Sequence, residues 1–473
     1  MESPFVLLHR RALLGAISTL PFTPCPITNP TLNITRTSGT SGRSWYVDNA
    51  CASNGDGKSW VSAWNALNHI AWMQIAPGDT IYLSGGTAGR TYNETLAVGA
   101  SGKPGAPITL TAGIEAGHAG PVTIDAQRVR SFCIAIGAHN WVIVQNLTVQ
   151  NNRDAANVSV RGAKAGVVIR NIISHSGMGI GNGEDCRCFD IRNCVAATPG
   201  IYAVILQNCT GTTPGSTSSQ TDAIWTSGND GVLIENNRLI VLNTDPTGHS
   251  DTIQSNLDIS VTYRGNLLSH PNGGRNNHGF IVADVLAGGV IYFYNNIILM
   301  GSIPGSSVGV PSIAIIRQNV ISNANTGTVK VWNNTIINGF RGYNTYTTKG
   351  PLPAYDEFKN NIIYNLPGAM SYVLDGGPAA ANIDYNDIYR SDDTPVAYIQ
   401  GVGNMHWAAW QSHGYDSHGI TTDPRFVDRL AQNFRLQPDS PALRAGVTLP
   451  LVPIDYAGMP RPVGAYAIGA YQT

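Results

Sequence analysis

Between Asp222 and Asp284 the chain concentrates the side-chain types that acid-base or metal chemistry needs: Asp222, Trp225, Asp245, His249, Asp251, Gln254, His270, Arg275, Asn277 and His278. The surrounding background is apolar residues, Gly, Asn, Ser and Thr. Two carboxylates held about 5 Å apart can form a retaining glycosidase pair, share a proton or bind calcium. An imidazole beside a carboxylate can act as a general base, and a guanidinium can neutralise an anionic sugar. These residues therefore divide into catalytic candidates (His249, Asp251, Arg275, His278 and Asp245), substrate-binding candidates (Trp225, Gln254 and Asn277) and a calcium-binding pair (Asp222 and Asp251). Plainer roles also fit the same residues. Asp222 and Asp251 suit Asx turns that satisfy backbone N–H groups, and the histidines taken singly suit loops.

Elements of fixed spacing are needed to bring these residues together, and the sequence contains such a repeat. Alternating apolar residues ending in Asn recur at Val142–Asn146, Val167–Asn171, Phe189–Asn193, Val232–Asn236, Ile291–Asn295, Val329–Asn333, Glu357–Asn360 and Ile383–Asn386, with Val261–Gly265 fitting when its Asn is displaced to Asn266. The intervals run from 22 residues (Asn171 to Asn193) to 43 (Asn193 to Asn236), the latter wide enough for two coils with Asn208 marking the extra one. Alternation with a period of two predicts strands. Asn at a fixed turn position can take left-handed backbone angles and hydrogen-bond to the coils above and below. Propeller and leucine-rich templates do not match these intervals. The pattern predicts an all-β, right-handed parallel β-helix over residues 44–405 that includes an N-terminal cap, with its coils stacked from about residue 77 to 390 and the anchor asparagines aligned along one edge. Residues 406–473 are expected to close the C-terminal end. Asp222 precedes Asn236, and Asp251 precedes Gly265, by the same 14 residues, so the two segments should occupy equivalent places on adjacent coils. If Ile224 and Ile253 point inward, Trp225 and Gln254 point outward.

Composition narrows the function. Only 12% of the 473 residues are charged and the formal net charge is −1, without the basic excess of a nucleic-acid or anionic-membrane binder. Arg10-Arg11 followed by a short apolar run to Phe22 reads as a signal peptide over residues 1–30, resembling a twin-arginine export signal, and implies a secreted or periplasmic protein. No later segment is long and apolar enough to be a transmembrane helix. Of seven cysteines, Cys186, Cys188, Cys194 and Cys209 are close enough in sequence for one or two disulfides between coils, or for burial as small core residues.

Two stretches carry a family resemblance. Tyr46-Val-Asp-Asn with Asp56-Gly, Ser59-Trp and Pro77-Gly-Asp-Thr-Ile resembles the opening of bacterial secreted β-helix proteins of the pectate-lyase-like superfamily. Asp423-Pro-Arg-Phe-Val-Asp428, Phe434–Ala442, Gly458-Met-Pro-Arg-Pro462 and Ile468-Gly-Ala-Tyr471 resemble a segment that ends such proteins. The resemblance implies a polysaccharide partner and, foremost, a polysaccharide lyase acting on a uronic-acid polymer by β-elimination. In that reading Arg275 neutralises the substrate, His249 or His278 is the base, and Asp222 with Asp251 holds calcium or orients the histidine. A glycoside hydrolase using Asp245, Asp251 and Asp222 is the alternative, and a non-catalytic polysaccharide-binding module is another.

Overall fold

The computed structural model describes residues 42–177, 186–214, 221–242, 249–271, 277–301, 311–317, 327–347, 356–375 and 382–473. Asp245, Arg275 and the segment 1–30 lie outside them, as does Cys25.

Apolar alternation produces short strands that pair in parallel with the equivalent strand of the next coil, forming three sheets. Sheet A begins at Ser44–Val47 and Thr80–Leu83 and continues through Ile108–Ala112, Val204–Gln207, Asp230–Glu235, Thr328–Trp332 and Glu357–Lys359 to Asn382–Asp384. Sheet B runs from Arg90–Tyr92 and Val122–Asp125 through Arg238–Val241, Leu267–His270 and Ile297–Met300 to Asp387–Tyr389. Sheet C includes Ala156–Arg161, Arg187–Arg192, Ile224–Ser227, Met370–Asp375 and Ala397–Ile399. Val142–Gln150 and Val167–His175 pass from sheet A into sheet B, and Ile253–Arg264 and Phe280–Tyr294 pass from sheet C into sheet A. This is a parallel β-helix. Pairing starts at Ser44, earlier than residue 77, because Ser44–Val47 already pairs with the first coil, and Trp45 stacks on Trp64 at 5.2 Å to seal that end.

Inside the coils equivalent positions stack in rows. Ile169, Leu206, Ile234, Tyr263, Phe293, Val331, Phe358 and Ile383 are successive register partners and all are buried. Each such side chain gains roughly 1.5–3 kcal/mol from leaving water.

The corner between sheets A and B explains the asparagine anchors. Asn146, Asn171, Asn208, Asn236, Asn295, Asn333 and Asn360 all have φ between 50° and 60°, with Gly265 (φ 64°) and Tyr385 (φ 61°) at the same corner. Asn193 (φ 52°) also takes the left-handed conformation, but it follows Arg187–Arg192 of sheet C and so lies at a different corner. The expected single edge therefore excludes Asn193: the same local turn chemistry serves two corners. Next to the left-handed corner residue runs a buried ladder, Asn237, Asn266, Asn296, Asn334, Asn361 and Asn386. In each step a side-chain Oδ1 accepts the backbone N–H and the Nδ2–H of the asparagine one coil earlier. The ladder stops at Asp416, an acceptor-only carboxylate whose Oδ1 accepts from Asn386 while its Oδ2 accepts from Tyr372 and Trp410.

The tail has two parts. The helix Trp407–Ser412 closes the last coil, with Trp410 stacked on Tyr372 and Tyr415. The remainder turns back along the A–B corner, where Asn295 donates to the Ile454 carbonyl, Asn333 to Ala467 and Gly469, and Asn360 to Val447. Corner asparagines are consequently buried there, while Asn146 and Asn171 are exposed. Cys51, Cys133, Cys186, Cys188, Cys194 and Cys209 are free thiols, so the expected disulfides are absent among the described residues; five of the six are buried.

Candidate functional site

The site lies at the entry to sheet C. Ile224, Ile253 and Phe280 are register partners on three successive coils and all point inward, while Trp225 and Gln254 face out as expected. Phe189 is the partner of Ile224 on the coil before. Counting back two residues from each puts Arg187, Asp222, Asp251 and His278 one above another on four consecutive coils, about 4.8 Å apart in the hydrogen-bonding direction. The sequence reading matched Asp222 with Asp251 but missed Arg187. The signal was present: Thr221-Asp-Ala-Ile224, Ser250-Asp-Thr-Ile253 and Asn277-His-Gly-Phe280 share one polar, one ionisable, one small and one apolar residue in order, and Cys186-Arg-Cys-Phe189 follows the same order with a thiol in the polar place.

Contacts within the column are specific. The Asp251 N–H donates to Asp222 Oδ1 at 2.9 Å. His278 approaches Asp251 Oδ1 twice at 2.8 Å, with its backbone N–H and with Nδ1. His249 Nδ1 lies 3.5 Å from Asp251 Oδ2, and Arg187 Nε lies 3.5 Å from Asp222 Oδ2. Asp222 and Asp251 are fully buried, whereas the His249 side chain is 26% exposed. Asn277 Oδ1 accepts the Ser250 N–H at 2.6 Å. Burial, reinforced by the Asp251 carboxylate and opposed by Arg187, pushes the Asp222 carboxyl up to about 7. Burial also pushes His270 down to about 4, so that ring is neutral near neutrality.

Trp225 is not the open plate expected from its outward position. The guanidinium carbon of Arg187 lies 4.3 Å and that of Arg192 5.4 Å from its ring centroid. Arg192 and Arg161 are register partners and grip buried Asp190 from either side at 2.6 and 2.8 Å. Buried polar atoms converge here without a hydrogen-bond partner among the described residues: Asp222 Oδ2, Asp251 Oδ2, Trp225 Nε1, Gln254 Oε1 and Asn277 Nδ2. Such atoms are costly unless a ligand, water or ion meets them.

A calcium ion takes six to eight oxygen ligands. The described residues instead place two imidazoles around Asp251 and a guanidinium beside Asp222, and this mixed set departs from an oxygen cage. The donor atoms of His249, Asp251 and His278 lie within 4.8 Å of one another.

Fold and site together define a parallel β-helix with a histidine-carboxylate cluster on one face. No protein-family model matches the sequence, and no curated protein matches it. Among solved structures, the pectate lyase Pel9A is similar over 92% of this chain and 97% of its own length, with a TM-score of 0.56 at 15% identity. The complex of XylC with xylose matches over 91% of this chain and 98% of its own, with a TM-score of 0.47 at 11% identity. A rhamnogalacturonan lyase matches over 73% of this chain and 87% of its own, with a TM-score of 0.40 at 12% identity. At such identity the similarity to Pel9A establishes the fold. No helix among the described residues is long and apolar enough to cross a membrane.

Proposed function

We propose that this chain is a secreted or periplasmic polysaccharide lyase that cleaves a uronic-acid-containing polymer by β-elimination at the sheet C site. The observation carrying this reading is the column Arg187, Asp222, Asp251 and His278, in register on four coils beside Trp225. β-Elimination needs positive charge at the uronate carboxylate and a base for the proton at C5. Arg187 and Arg192 cluster at Trp225, where the substrate carboxylate is neutralised. Asp222 Oδ2, which accepts no hydrogen bond among the described residues, serves in this reading as the proton acceptor. The electron pair of the C5–H bond forms the C4=C5 double bond, the C4–O bond breaks, and the departing oxygen takes a proton from solvent. Asp251, held by His278 and flanked by His249, fixes Asp222 through its backbone N–H. Gln254 and Asn277 offer their unpartnered amide atoms to sugar hydroxyls.

The test incubates the protein with polygalacturonate, alginate, rhamnogalacturonan and neutral xylan, following both the ultraviolet absorbance of the new double bond and the release of reducing ends. A lyase yields both signals together on an acidic polymer. Asp222→Asn retains the fold, because the amide oxygen still accepts the Asp251 backbone N–H, and its activity falls at least about 100-fold, the scale of losing the proton acceptor. Unchanged turnover in that variant refutes the site assignment.

One observation favours a second reading. Asp222 and Asp251 sit one coil apart, near the carboxylate spacing of a retaining glycosidase. It ranks below elimination because both Asp251 oxygens already face imidazoles, which weakens it as a nucleophile. Reducing ends without the double-bond absorbance would select it.

A further inference from the structure

We propose that His249, Asp251 and His278 form a binding site for a divalent ion of the zinc class, in preference to calcium. Three facing donors define it: His278 Nδ1 is 2.8 Å from Asp251 Oδ1, His249 Nδ1 is 3.5 Å from Asp251 Oδ2, and the two rings are 5.6 Å apart between centroids. Ligands about 2.0–2.2 Å from a tetrahedral ion sit roughly 3.3–3.6 Å from one another. The Asp251–His249 separation already falls in that range, and the 2.8 Å Asp251–His278 contact opens by roughly 0.5 Å to reach it. The remaining gap is between the imidazoles, where all three donors fall within 4.8 Å, and the partly exposed His249 side chain can turn to close it.

The donor chemistry selects the class of ion. Two imidazole nitrogens and one carboxylate oxygen suit zinc and its neighbours in the first transition row, whereas calcium favours an all-oxygen shell. A second, independent observation points to a ligand: Asp251 Oδ2 is fully buried and lacks a hydrogen-bond partner among the described residues. Buried carboxylate oxygens carry a large desolvation cost unless a cation or donor meets them. Asp251 is oriented like a ligand with an outer support, since its backbone N–H is anchored to Asp222 Oδ1 and its other oxygen is fixed by the His278 backbone. The coordinating residues come from two adjacent coils whose parallel pairing sets their separation, so the site is preorganised by the solenoid.

The inference stands whether or not the chain is a lyase. The full chain is stripped with a chelator, dialysed against zinc chloride or calcium chloride, and its metal content measured; calorimetry with each salt gives the affinity. One zinc per chain is expected, with zinc binding at least about 100-fold tighter than calcium. His249→Ala and His278→Ala should each weaken zinc binding by at least about 10-fold, a lower bound taken from the loss of outer-shell partners. His418→Ala, which alters an exposed histidine paired with Asp384 outside the site, should leave the affinity unchanged. Circular dichroism establishes that each variant is folded; if His278→Ala is not, His249→Ala at the partly exposed position decides. Zinc retained by folded His249→Ala, a stoichiometry of zero, or calcium binding more tightly than zinc would each overturn the proposal. Zinc binding without polymer cleavage would refute the lyase reading alone, and cleavage without zinc binding would refute the metal site alone.

Discussion

Removing one rung of the buried asparagine ladder should destabilise the β-helix by about 4 kcal/mol. Asn334 is fully buried. Its Oδ1 accepts from the Asn296 N–H at 2.9 Å and Nδ2 at 3.1 Å, and its own Nδ2 donates to the Phe293 carbonyl at 3.0 Å and Asn361 Oδ1 at 2.9 Å. In Asn334→Ala, Asn296 Nδ2 retains its bond to the Tyr263 carbonyl, and Asn361 Oδ1 retains the Asn334 backbone N–H. The Asn296 N–H loses its acceptor and the Phe293 carbonyl loses a donor, each at a fully buried position. At roughly 1–3 kcal/mol for a buried group left unmade, the two together cost about 4 kcal/mol. Asn146→Gly is the matched control: Asn146 is exposed, its φ of 60° suits glycine, and it loses only side-chain bonds at the surface, so the change should be below about 1.5 kcal/mol. Urea unfolding followed by far-ultraviolet circular dichroism measures both. A loss under about 1 kcal/mol for Asn334→Ala, or one equal to that of Asn146→Gly, would show that the ladder is not the structural spine argued here.

Two further outcomes follow from buried groups away from the site. Burial raises Asp258 to about 6 despite bonds from Thr226, Ser255 and Asn229, with the Tyr263 hydroxyl next in line on Thr226. A raised folded-state pKa means that this group's contribution is fully present below its ordinary value of 3.8 and is lost as pH rises through about 6. The loss totals about 3 kcal/mol at 1.36 kcal/mol per unit; Asp258→Asn should lack that fall, so the gap between its stability and the parent's should change by about this amount across the window, and parallel pH profiles for the two would refute it. Because Cys186, Cys188, Cys194 and Cys209 are buried free thiols, dithiothreitol should leave the melting temperature unchanged; a drop of several degrees would mean that a disulfide exists in solution.

Much of the fold was legible because its chemistry is local and repeated. From Val142 onward a left-handed residue ends each sheet A strand, asparagine tolerates that conformation, and the alternation before it fixes which residues face inward. The same locality explains the error at Asn193. Phe189-Asp-Ile-Arg-Asn193 ends a sheet C strand in the same conformation, and nothing within five residues tells one corner from another. The second asparagine of Asn236-Asn237, Asn295-Asn296, Asn333-Asn334 and Asn360-Asn361 was also overlooked. Its doubling is visible in the sequence, but its value appears only when the next coil supplies the partner.

The site shows where one-dimensional spacing stops working. Asp222 and Asp251 could be matched because both lie 14 residues ahead of a corner and the chain between is regular in both coils. Arg187 lies on the preceding coil, but there the chain from sheet C to the next corner at Asn208 runs through the longer connection Asn193–Ala203, so the same offset from Asn208 falls on Cys194. Counting from a corner therefore fails whenever a connection changes length, whereas matching the polar, ionisable, small, apolar order survives insertions because it follows the strand itself. The column from Arg187 to His278 is written in that order, and it places a guanidinium, two carboxylates and an imidazole on one line through strand pairing alone. No side chain needs to reach across the fold to build the site; four coils need only start sheet C in the same register.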